Sequence, residues 1–256
     1  MYRGRVVMAE ALTTVVLPTY NERATLPVLL RELATLAPAL RLEAVVVDDA
    51  SPDGTAEAAA ALDGVDGLAV RVLRRSSKLG LSSAVVAGAT VARGEVVVVM
   101  DADGSHPPQT IPALVAALRT GADVAVGSRY VTSGRIVGWP WPRRLASLVA
   151  TATARALLRL EVRDPLSGFF AARREVLAGA DYWALGFKIL LEVLSRHRAL
   201  RVVEVPYTFV DRVAGRSKLD LHEVTAYLRL VRRLVRTAGP GAPPGGVTRP
   251  GEGGGR

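Results

Sequence analysis

Val96-Val97-Val98-Val99-Met100 is an unbroken apolar run, mostly β-branched, and it passes directly into Asp101-Ala102-Asp103. A run of that kind reads as a strand covered on both faces, which restricts it to the interior of a parallel sheet. Ligands of open α/β sheets collect at the carboxyl ends of such strands. Two carboxylates one residue apart at that edge offer hard oxygen donors suited to Mg²⁺ or Mn²⁺, often shared with a diphosphate. The same pair also suits a plain polar strand end that caps the following turn, so the rest of the chain has to decide.

The flanking segments repeat the pattern. Leu12 to Pro18 is a β-branched strand, and Thr25 caps a helix carrying Leu26, Leu29, Leu30, Leu33 and Leu36 at helical spacing. Glu43 to Val47 is a second strand running into Asp48-Asp49, and Ala50 to Thr55 is dense turn sequence before an Ala-rich helix. Ala69 to Leu73 is a third strand, and Lys78 to Ser83 opens another helix. Strand-helix alternation of this kind predicts an α/β fold with a mostly parallel sheet flanked by helices. Asp48-Asp49 and Asp101/Asp103 then meet along one sheet edge. A dinucleotide-binding glycine motif is missing after the first strand, where Pro18-Thr19-Tyr20-Asn21-Glu22 stands instead, and there is no Walker loop. A bound nucleotide would therefore be held by carboxylates and a metal rather than by a glycine cradle.

Composition removes other classes. There is no cysteine, which excludes disulfides and thiolate chemistry. The net charge is +9, and all but three of the 33 basic residues are arginine, a balance open to nucleic acid, anionic membrane or phosphate-bearing substrates. No apolar run reaches the roughly 18 residues of a spanning helix.

Taken in order, Val16-Leu17-Pro18-Thr19-Tyr20-Asn21-Glu22, Val47 to Thr55, Asp101-Ala102-Asp103, Gly104-Ser105-His106-Pro107-Pro108, Val126-Gly127-Ser128-Arg129-Tyr130, Asp164 to Phe170, Gly186-Phe187-Lys188 and Arg212 to Lys218 resemble the motifs of family 2 glycosyltransferases with the GT-A fold. Within that family they are similar to polyprenyl-phosphate (dolichol-phosphate) mannose synthases. The resemblance implies one GT-A catalytic domain over residues 12–236; residues 1–11 form a leader, and the Gly, Pro and polar composition of residues 237–256 predicts a disordered tail. It implies that Pro18, Tyr20, Glu22, Val47 and Asp49 contact the base and ribose of a sugar nucleotide, and that Ala102 is a further substrate-binding residue. Asp101 and Asp103 would hold the metal, and Ser105 stands where many relatives carry a metal-binding glutamine. Arg129, Lys188, Arg212 and Lys218 match positions that contact phosphate or donor, and Arg129 with Lys188 or Arg212 would orient the acceptor phosphate. Asp164 and Ser167-Gly168 fit a turn facing the acceptor, whereas His106, set against two prolines, shapes its loop.

The implied activity is inverting transfer of a hexose, mannose from GDP-mannose or else glucose from UDP-glucose, onto a polyprenyl phosphate, with Mg²⁺ or Mn²⁺ assisting. A non-catalytic membrane-surface scaffold is the reading from another class, and it leaves the carboxylates unexplained. Partners are the sugar nucleotide, the polyprenyl phosphate and the membrane surface, with no nucleic acid. Trp139, Trp141 and the surrounding prolines, before a helix from Arg143 to Leu160, suit a membrane-facing acceptor lip. The last helix, residues 219–236, puts Leu221, Val224, Leu228, Val231 and Val235 on one face and Arg229, Arg232, Arg233 and Arg236 on another. It either docks on the core or lies on lipid. Attachment is expected to be peripheral, at the cytoplasmic membrane face, or through an anchoring partner protein.

Overall fold

The computed structural model describes residues 12–182, 188–211 and 221–237. The elements that position the site are strands β1 (Thr13–Thr19), β2 (Leu42–Asp48), β3 (Ala69–Arg74), β4 (Val96–Val99), β5 (Val124–Ser128), β6 (Arg135–Val137), β7 (Phe170–Arg173), β8 (Val202–Pro206) and β9 (Thr208–Val210). The helices are α1 (Leu26–Leu40), α2 (Thr55–Ala60), α3 (Leu81–Val91), α4 (Ile111–Arg119), α5 (Trp141–Leu158), α6 (Arg174–Leu177), α7 (Ile189–Arg196) and α8 (Leu221–Thr237).

Seven strands form one sheet in the order β3-β2-β1-β4-β7-β5-β8. All neighbours are parallel except β7, which runs antiparallel to both β4 and β5. Every residue of β1, β2 and β4 is buried, as their apolar, β-branched composition requires of strands covered on both faces. One face packs against α1 and α4 through Leu26, Leu30, Leu33, Ile111, Leu114 and Leu118. The other packs against α3, α5, α7 and α8 through Val85, Leu158, Leu190, Val193 and Leu230. Each fully buried Leu or Val contributes on the order of 1.5–3 kcal/mol. Gly88 lets α3 press onto the sheet, because a Cβ there would stand 2.5 Å from Val16 Cγ1.

The antiparallel β7 has a consequence for the site. The loop that leads into it, Asp164 to Phe169, arrives at the same sheet edge where β4 and β5 end. The lone direction change therefore places three loops side by side. Outside the main sheet, β6 pairs in parallel with β9 and braces the loop after β5.

The last helix docks on the core. Tyr227, Leu230, Val231 and Leu234 are buried, and the Tyr227 hydroxyl donates to the Ala150 carbonyl of α5 at 2.7 Å. Leu228 and Val235, expected on the apolar face, are exposed instead, so the seam is turned by one position from the predicted stripe. Aromatic Tyr227 and the α5 carbonyl it reaches set that rotation. No helix of the described residues is long and apolar enough to cross a membrane.

Candidate active site

The loop after β4 is folded by its own acids. The Asp103 carboxylate accepts from the Ser105 N–H at 3.0 Å, closing a tight turn in which Gly104 takes φ +77°. The Asp101 N–H donates to His106 Nδ1 at 3.1 Å, which leaves the His106 proton on Nε2, facing Asp101 Oδ2 at 4.0 Å. His106 is stacked on Phe169 at 5.1 Å and edged by Tyr207 and Phe209. Enclosure disfavours its charged form, so its pKa falls to about 3; the negative charge of Asp103 opposes that shift and Arg129 reinforces it. The ring is therefore neutral at ordinary pH and acts as a wedge beneath the two acids.

Asp101 and Asp103 are half-buried, Ala102 is buried, and Ser105 Oγ is buried with no hydrogen-bond partner among the described residues. Among the described residues no group of three or more His, Cys, Asp or Glu side chains is arranged to hold a metal alone. Two carboxylates with one orphaned hydroxyl suit a hard cation that keeps coordination positions for other oxygens. This donor set fits Mg²⁺ or Mn²⁺ shared with a diphosphate.

The residues expected to contact the nucleotide lie at the ends of β1 and β2, and β1 is the sheet neighbour of β4. Pro18 and Val47 are register partners and both buried. Tyr20 is partly exposed, with the Lys78 ammonium 3.8 Å from its ring centroid. Glu22 accepts from the Thr25 hydroxyl at 2.7 Å. Asp49 is buried, ion-paired with Arg75, and accepts from the Gly80 N–H at 3.0 Å. Asp48 serves the turn instead, taking the Ser51 N–H at 3.0 Å and hydroxyl at 2.5 Å. Arg75 and Lys78 join this face without standing out in the sequence; their signal is a basic pair just before Gly80 at a strand-to-helix turn.

Arg129 directly follows β5 and meets Asp164 of the β7 loop. Its Nε and Nη2 each donate to the Asp164 carboxylate at 2.8 Å. Burial works against the Arg129 charge, but those hydrogen bonds and the Asp164 charge outweigh it and hold its pKa above the ordinary value. Its guanidinium also lies within 6 Å of the Tyr130, Trp139 and Phe209 rings. Gly168 of the same loop approaches Asp101, for a Cβ there would be 3.4 Å from Oδ2. One loop thus touches both halves of the site.

Beyond Arg129 opens a cavity of about 360 Å³ lined by Arg129, Tyr130, Arg135, Ile136, Arg144 and Leu148 among others. Arg143, next to it on α5, pairs with Asp211 at 2.8 Å and lies 4.2 Å from the Trp139 ring centroid. Sequence reading passed over Arg135, Arg143 and Arg144, whose only signal was clustering around Trp139 and Trp141. Lys188 is on the α8 side, its ammonium 5.6 Å from the Tyr227 ring. Arg212 and Lys218, like the 1–11 leader, lie outside the described residues, as does the tail beyond Thr237.

Residues 14–179 match the model of glycosyl transferase family 2. The chain is 46% identical over 228 residues to the dolichol-phosphate mannosyltransferase of Pyrococcus furiosus, covering 88% of this chain and 64% of that protein. It is thus matched to just under two thirds of that relative's length. It is 42% identical to the polyprenol monophosphomannose synthase of Mycolicibacterium smegmatis, over 81% of each. It is 40% identical to the undecaprenyl-phosphate mannosyltransferase of Micrococcus luteus, over 80% of this chain and 86% of that one. Among solved structures, glucosyl-3-phosphoglycerate synthase of Mycobacterium tuberculosis superposes with a TM-score of 0.66 at 27% identity, covering 91% of this chain and 82% of that chain. One structure of that enzyme holds Mn²⁺, UDP-glucose and phosphoglyceric acid, with 91% of this chain and 81% of that one aligned at the same TM-score and identity. The shared architecture is the GT-A fold expected from the motifs.

Proposed function

Because the chain belongs to glycosyl transferase family 2, we propose that it transfers mannose from GDP-mannose to a polyprenyl phosphate at the cytoplasmic face of a membrane. The observation that carries this reading is the juxtaposition around Arg129. On one side stands the two-carboxylate loop; on the other opens the arginine-lined cavity, bordered by an exposed apolar stripe. That stripe is the outer face of α5, where Trp141, Leu145, Leu148 and Val149 are 74%, 53%, 48% and 57% exposed. A cationic cavity against an apolar lip suits an acceptor with an anionic head and a hydrocarbon tail.

Asp101, Asp103 and Ser105 would hold Mg²⁺ or Mn²⁺, which when bound neutralises charge on the departing diphosphate. Pro18, Tyr20, Glu22, Val47 and Asp49, with Ala102, would bind the nucleotide, and by the motif resemblance Lys188, Arg212 and Lys218 would contact phosphate. Arg129 orients the acceptor phosphate. A phosphate oxygen then attacks the anomeric carbon in line, a C–O bond forms, and the bond to the diphosphate breaks with inversion. The attacking monoester is already a dianion above its second pKa of about 6, so no side chain has to take a proton. Neutral His106, with its Nδ1 committed to Asp101, fits that absence of a base.

The UDP-glucose held by the mycobacterial relative keeps glucose transfer as a second reading. A radiolabel assay with purified protein, polyprenyl phosphate, Mg²⁺ or Mn²⁺ and a panel of donors decides. Label from GDP-mannose entering lipid faster than from UDP-glucose supports the proposal, and the reverse order replaces it.

A further inference from the structure

The Asp164 carboxylate is fully enclosed, yet it is wholly occupied by one residue. It accepts from Arg129 Nε and Nη2 at 2.8 Å and from the Arg129 backbone N–H at 3.0 Å. The pairing uses the side edge of the guanidinium, so Nη1 and the second Nη2 hydrogen lie outside it. Asp164 is itself fixed. Its own N–H and that of Arg163 donate to the two carboxylate oxygens of Glu204, at 3.0 and 2.9 Å. Glu204 stands on β8 in register with Val126 of β5, the strand that leads into Arg129. Strand, arginine, aspartate and glutamate thus close a ring.

The charge arithmetic gives the ring a purpose. Asp164 cancels the formal charge of Arg129, as Asp211 does for Arg143. Arg135 and Arg144 have no ion pair among the described residues, and they give the cavity its net positive charge. A buried ion pair adds little net stability compared with an apolar pair of the same shape, because desolvation offsets the attraction. What this pair does provide is direction, since the planar fork of arginine is pinned at two nitrogens. We infer that Asp164 is a positioning residue of the acceptor site, setting the plane of Arg129 so that its remaining N–H groups meet the acceptor phosphate.

The inference rests on the reading of Arg129 as the phosphate contact, and the test separates the two. Arg129→Ala, Asp164→Asn, Glu204→Gln and the double variant Arg129→Ala/Asp164→Asn are compared by kinetics with detergent-dispersed polyprenyl phosphate. GDP affinity by calorimetry and thermal melting accompany each. Asp164→Asn should raise the acceptor KM by about ten- to hundredfold, the worth of one charge-assisted hydrogen bond, and leave GDP affinity within about twofold. The double variant should be no worse than Arg129→Ala alone, because Asp164 acts through Arg129. Independent, additive losses would make Asp164 merely structural and overturn the inference. Breaking a buried pair also loosens the fold, so Glu204→Gln, half-buried and close in shape, carries the same test more gently. It should raise the acceptor KM about threefold, the low end of one hydrogen bond's net worth, and an unchanged value overturns the inference. An acceptor KM unchanged in Arg129→Ala would overturn the function reading itself.

Discussion

Replacing His106 by alanine separates a structural histidine from a catalytic one. The ring is 2% exposed and packed among Phe169, Tyr207 and Phe209. Deleting a buried ring of this size costs about 2–4 kcal/mol in lost packing and residual cavity. The Asp101 N–H also loses its acceptor in a largely enclosed position, a further 1–3 kcal/mol or so. The sum, about 3–7 kcal/mol, should lower Tm by about 6–28 °C in a domain of this length. Scanning calorimetry measures it. His106→Asn, whose side-chain oxygen falls near the Nδ1 position, should recover the hydrogen-bond share. Well below its melting transition, His106→Ala should keep transfer within about tenfold of wild type, a loss of at most 1.4 kcal/mol or so. A variant that melts within about 2 °C of wild type would refute the packing argument, since that shift corresponds to less than about 1 kcal/mol. A hundredfold loss of rate in folded protein would refute the assignment of His106 as a neutral wedge.

Asp103→Ala should reduce kcat at least 10²-fold or so, the usual cost of one electrostatic stabiliser, and excess chelator should silence the wild type; full activity in either assay rules out the metal site. Ser105→Ala, by contrast, removes a hydroxyl that has no partner among the described residues, so Tm should hold or rise and rate should fall less than about tenfold. Glutamate in place of Trp141, Leu145 and Val149 should weaken binding to anionic vesicles in flotation assays while Tm is unchanged, and wild-type binding should fall with salt; vesicle binding that survives the triple change would remove α5 from the membrane face.

The first half of the fold was legible because its strands are covered on both faces and say so in composition: Val96–Val99, Val45–Val47 and Val15–Leu17 need no partner to be recognised. The direction of β7 was not, since nothing in Phe170–Arg173 distinguishes a parallel from an antiparallel neighbour. Direction is fixed by where the chain returns. The site divides in the same way. Asp101 and Asp103 are separated by one residue, so the pair is visible in the sequence itself. Arg129 and Asp164 are 35 residues apart and Arg143 and Asp211 are 68 apart, so only the folded sheet edge reveals them as pairs. The burial of His106 was equally hidden, because the rings that enclose it come from Phe169, Tyr207 and Phe209, on other loops and strands. The seam of α8 missed by one position because helical periodicity places a stripe only relative to itself, while Tyr227 anchors it to α5.

The central claim is that the acceptor is a phosphate that attacks without a general base. It is tested most directly by measuring transfer from GDP-mannose to polyprenyl phosphate and to free polyprenol across pH 5 to 9. The account predicts transfer to the phosphate alone, with a rate that climbs as the monoester loses its second proton near pH ~6 and is level above pH ~7. Appreciable transfer to the alcohol, or a rate that keeps climbing through pH 8, would contradict it.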